Sequence, residues 1–91
     1  AKLFTYSHSL FKKAVLNYNC AKIAEKYAYL LFIDRSLSPE KIRLEQEMLK
    51  KYELQTDVQP FKYGHNATLI TVKVKAKSDE ASCMLYFIRT Q

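Results

Sequence analysis

The chain has 91 residues, 48% of them hydrophobic, with fifteen Lys and Arg against nine Asp and Glu, a net charge of +6. The length fits a single domain, 1–91, and excludes two, and the apolar content excludes a disordered tail. One glycine, Gly64, excludes a glycine-rich phosphate loop, which needs several residues free to take positive φ.

In chain order, Lys2 to Tyr6 reads as a short strand or an ordered lead-in. Ser7 or Ser9 is a suitable cap for a following helix, because a serine oxygen accepts from the free N–H groups of the first turn. From Leu10, apolar residues recur at helical spacing: Leu10, Phe11, Ala14, Val15, Tyr18, Ala21, Ala24, Ala28, Leu31 and Phe32. Towards its end the helix gains a second stripe, Ile23, Tyr27, Leu30 and Ile33. A helix apolar on two sides must be covered on two sides, by its own domain or by a partner.

A second helix is expected from Pro39 to about Tyr52. Ser38 is a cap, Pro39 suits the first helical position, and Glu40 suits the positive end of the helix dipole. Opposite charges stand four apart at Lys41–Glu45, Arg43–Glu47 and Glu47–Lys51.

Thr56 to Tyr63 reads as a strand at an edge or bend, because Pro60 cannot donate to a ladder. Gly64-His65-Asn66 marks a turn. Thr68 to Lys77 alternates: Ile70, Val72, Val74 and Ala76 face one way, Lys73, Lys75 and Lys77 the other. With a turn at Ser78 to Ala81, Ser82 to Thr90 returns as its antiparallel partner. Lys77 then faces Ser82, Lys75 faces Met84, Lys73 faces Tyr86 and Thr71 faces Ile88. The expected fold is α+β: two helices, the first preceded by that short strand or lead-in, packed on an antiparallel sheet of about three strands. The first helix should lie on the Ile70, Val72 and Val74 face.

Catalytic chemistry finds little footing. His8 and His65 are isolated, Cys20 and Cys83 have no metal-type spacing, and no GxGxxG, P-loop, HExxH or GxSxG pattern occurs. No catalytic residue, metal ligand or cofactor is therefore assigned, and the chain is read as a non-enzyme. Two cysteines are too few for a disulfide framework, which favours a reducing intracellular, cytoplasmic setting. Asn66-Ala67-Thr68 spells a glycosylation acceptor, which matters only in a secreted protein. No apolar run reaches the roughly 20 residues of a membrane span.

The positive charge suits acidic partners. The anomalies point to protein binding, because Tyr27, Tyr29, Met84, Tyr86 and Ile88 exceed what one small core covers. The expected function is a non-enzymatic protein-binding module or small subunit of a larger complex. It would engage an acidic or apolar surface on another protein, or self-associate. The alternative is an RNA- or DNA-binding module that sets Lys73, Lys75 and Lys77 on phosphates and Tyr86 under a base.

Overall fold

A computed structural model describes residues 2–63 and 66–90 of the chain. Helix α1 (Lys2–Ile33) is followed by a single helical turn, α2 (Gln46–Leu49), and three strands: β1 (Tyr52–Pro60), β2 (Ala67–Ala76) and β3 (Ser82–Thr90). The strands form one antiparallel sheet in the order β1-β2-β3, and α1 covers one of its faces.

The lead-in expected at Lys2 to Tyr6 is helical instead, so Ser7 and Ser9 lie inside α1 rather than capping it. Neither Gly nor Pro interrupts the chain before Pro39, and each residue added to an existing helix gains a hydrogen bond at little cost. At about 1.5 Å per residue, α1 spans roughly 48 Å against about 30 Å for the strands. Its N-terminal part therefore overhangs the sheet. Leu10 to Val15 are all exposed, and Leu16 is the first side chain to pack on the core. The molecule is accordingly elongated, 59 × 29 × 18 Å, with a radius of gyration of 16.0 Å, where a compact chain of this length has about 12 Å.

Beyond Leu16 the helix buries Cys20, Ile23, Ala24, Tyr27 and Leu31 against Ile70, Val72, Val74 and Ala76, the sheet face expected from the alternation. The buried line draws on both apolar stripes. The Asn19 amide donates to the Tyr52 hydroxyl at 3.0 Å, fixing the helix over the start of β1. Cys20 and Cys83 carry free thiols. Burial pushes the Cys20 thiol up; a backbone hydrogen bond at Ala76 opposes this and Cys83 adds to it. The native state thus holds its proton at a pH where the unfolded chain ionises. Stability from this group is complete below the ordinary thiol value of 9.0 and is lost as pH rises through the folded value. In chemical unfolding between about pH 8 and 10.5, Cys20→Ala should lose stability with pH less steeply than the native chain.

The expected second helix forms only in part, as the single turn α2. Lys41 N–H donates to the Ser38 carbonyl at 3.0 Å, so Ser38-Pro39 starts a turn, but residues 42–45 are then not helical, with Glu45 extended at φ −61° and ψ 152°. This places Leu44 in the core. Burying a leucine is worth about 1.5–3 kcal/mol, whereas each helical charge pair offers only about 0.2–0.5 kcal/mol. The charges find other partners: Glu45 accepts from Lys26 at 3.1 Å, and Arg43 donates to the Glu40 and Ile42 carbonyls. β1 begins at Tyr52, before the expected Thr56, and ends at Pro60 on the sheet's edge. Of the turn expected at 64–66, Gly64 and His65 lie outside the described residues; Asn66 takes φ 58°.

The β2–β3 hairpin forms with its loop one residue earlier than expected. Ala76 N–H donates to the Ala81 carbonyl at 2.9 Å, and Asp79 takes φ 64° in the loop, a left-handed conformation that Asp tolerates. Every cross-strand pair therefore shifts by two. Lys75 faces Ser82, Lys73 faces Met84, Thr71 faces Tyr86 and Leu69 faces Ile88. Because the shift is even, no side chain changes face.

Candidate partner-binding face

The sheet face away from α1 carries no second layer among the described residues. The register sets three columns on it. Glu53, Gln55, Asp57 and Gln59 come from β1; Leu69, Thr71, Lys73 and Lys75 from β2; Ser82, Met84, Tyr86 and Ile88 from β3. An acidic border, a mixed centre and an apolar border thus lie side by side.

The apolar border is the unusual one. Met84, Tyr86 and Ile88 are 58%, 70% and 42% exposed. They project from alternate positions of an end strand whose outer edge pairs with no other strand among the described residues. Edge strands are commonly protected by charge or proline. β1 has Glu53, Asp57 and Pro60. The one charged residue of β3, Arg89, is turned inward: it donates to the carbonyls of Leu37 (3.0 Å), Asp34 (3.2 Å) and Leu31. Arg89 thereby caps the C-terminus of α1, whose last turn has no basic residue of its own.

The lysines are less free than their spacing suggests. Lys75 pairs with the Asp79 carboxylate, and that hydrogen bond and charge, with Glu53 opposite, hold the ammonium above its ordinary value. Lys77 is not on the sheet face; it lies in the loop after β2, its N–H donating to the Lys51 carbonyl at 2.8 Å. Lys73 stands between Gln55 and Met84.

Two further expected residues separate. Tyr29 is exposed, but on α1, on the far side of the molecule from this face. Tyr27 is only 7% exposed and belongs to the core, so it offers no surface to a partner. Two residues along a helix differ by about 200° in direction, so the sheet can take only one of them. The acidic column is half visible in the sequence: the expected strand begins at Thr56 and so leaves out Glu53 and Gln55, although Tyr52, Leu54 and Val58 alternate with Glu53, Gln55 and Asp57. Arg89 as a cap had no local signal.

Among the described residues no group of three or more His, Cys, Asp or Glu could hold a metal ion, and no described helix is long and apolar enough to cross a membrane. His65 and the side chain of His8 lie outside what is described. Comparison with family models, with curated proteins and with solved structures finds no match for this chain.

Proposed function

We propose that the chain is a non-enzymatic protein-binding module, or a small subunit of a larger complex, whose partner seats on the Met84, Tyr86 and Ile88 column of β3. The observation that carries this is the exposure of three large apolar side chains in one row on an unprotected edge strand. Contiguous apolar surface of this kind is what interfaces use, and Tyr and Met are enriched there. Lys73, beside Met84, suits a partner with an acidic fringe around an apolar centre. Nucleic acid is less well supported by the charge distribution. Lys75 is paired, Lys77 lies off the face, and Glu53 and Asp57 would repel phosphates from the adjoining strand.

The test is capture of partners from a source extract by the native chain and by Tyr86→Ala combined with Ile88→Ala, with and without nuclease. The double variant should keep its fold and bind the captured protein at least about tenfold more weakly, nuclease having no effect. Capture lost on nuclease treatment, or unchanged in the double variant, would sink the proposal.

A further inference from the structure

The outer side of α1, opposite the sheet, is a second apolar surface unrelated to the β3 column. At about 100° per residue, Phe11, Val15, Tyr18, Lys22, Glu25, Tyr29, Phe32 and Ile33 share one side of the helix, and all are exposed. Its rings are far from covered: Phe11 68%, Tyr18 61%, Tyr29 63% and Phe32 61% exposed. The buried residues Cys20, Ile23, Ala24, Tyr27 and Leu31 occupy the opposite side.

The stripe has an order. An apolar group, Phe11, Val15 and Tyr18, comes first; the charges Lys22 and Glu25 stand in the middle; a second apolar group, Tyr29, Phe32 and Ile33, closes it. Reversed end for end, it reads apolar, negative, positive, apolar. Placed antiparallel on itself about a point between Ile23 and Ala24, it sets Lys22 level with Glu25 of the other copy, and Glu25 level with its Lys22. Tyr18 then lies level with the other Tyr29, and Val15 with the other Phe32. In a single chain these charges are poorly used: Lys22 and Glu25 approach only to 3.9 Å, and Lys22 otherwise rests over the Tyr18 ring at 5.5 Å. Lys26, at the margin, is already paired with Glu45.

We infer that the occupant of this face is a second copy of the chain, bound two-fold and antiparallel through α1, giving a sheet–helix–helix–sheet sandwich. Two-fold contacts require a self-complementary patch, and the central charges meet that requirement where an unrelated apolar partner would leave them unpaired. The area suits a weak pair: with about 150–250 Å² per aromatic side chain, the exposed parts of Tyr18, Tyr29 and Phe32 offer on the order of 400 Å² per copy before Val15 and Ile33 are added, which places the pair among the small, transient interfaces below about 1,200 Å² in total. In this pairing the two helices overlap from about Ala14 to Ile33, and the residues before Ala14 extend past the end of the other copy's α1.

The experiment is sedimentation equilibrium on the native chain, on Lys22→Glu, on Glu25→Lys and on an equal mixture of the two. The native chain should be a dimer. Each variant places like charges at both central contacts and should dimerise at least about tenfold more weakly. The mixture should recover native affinity as a heterodimer, since one chain then carries two acids at the centre and the other two bases. Both positions are exposed, so circular dichroism should be unchanged in the variants. A native chain still monomeric at about 100 µM, where a micromolar interface would be filled, or a mixture no tighter than its components, would overturn the inference. Neither result depends on Tyr86 or Ile88.

Discussion

Arg89→Ala should lower the unfolding free energy by about 2–4 kcal/mol. One guanidinium gathers the carbonyls of Leu31, Asp34 and Leu37 at the end of α1 and in the connector, the Asp34 carbonyl also accepting from the Leu37 N–H at 3.2 Å. A net charge-assisted hydrogen bond is worth about 1.5–3 kcal/mol when its groups are shielded. Two effects keep the sum below the total of three such bonds. The site is only partly buried, and Arg89 Nε is itself buried without a partner, a standing cost of about 1–3 kcal/mol. At about 4–8 °C per kcal/mol, the melting temperature should fall by roughly 8–30 °C in calorimetry. Arg89→Lys should recover less than half of the loss, because a single ammonium cannot fan across three carbonyls. Full recovery by lysine would mean that charge, rather than the fork of donors, closes the helix.

Leu31→Ala should cost about 2–5 kcal/mol. Leu31 is 0% exposed in the cluster that joins α1 to Val72 and Val74, and rigid strands beneath it limit collapse into the space left. With total stabilities of about 5–15 kcal/mol, such a loss takes a large part of the reserve. Tyr29→Ser, two residues away on the uncovered side, should change the stability of the isolated chain by no more than about 0.5 kcal/mol. Urea unfolding of the two variants separates them directly. Because the Leu31 carbonyl is also an Arg89 acceptor, the Leu31 and Arg89 losses should not add, with a coupling of about 0.5–3 kcal/mol in a double-mutant cycle. Strict additivity would indicate that packing and capping at this corner act separately.

What was legible in the amino-acid sequence was short-range. The β2–β3 hairpin announces itself through strict alternation from Ile70 to Ala76, and an error of one residue at each end of the loop left both faces correct. The exposed column of Met84, Tyr86 and Ile88 follows from the same alternation on β3. The extent of the second helix was not legible, because its local signals at Ser38 and Pro39 were sound but weak against the burial of Leu44, and only the turn at Gln46–Leu49 forms. The expected start of β1 at Thr56, four residues late, concealed Glu53 and Gln55 of the acidic column. Lys75 looked like part of a free basic face until the loop brought Asp79 onto it. Tyr27 and Tyr29 looked equivalent because the choice between them belongs to the sheet, which forms from residues far along the chain.

The Arg89 cap also sets a schedule. Leu31 and the residue that closes its carbonyl are separated by 58 positions. At a synthesis rate of about 5–20 residues per second, the end of α1 waits roughly 3–12 s for its last hydrogen bonds. Until β2 is made, ending at Ala76, 45 residues after Leu31, its sheet-facing line, Ile23, Ala24, Tyr27 and Leu31, has no strand of that face to rest on. The nascent chain is therefore at its most adhesive while the helix is complete and the sheet is not; β2 begins the cover, and the arrival of β3 completes it and secures the end of the helix.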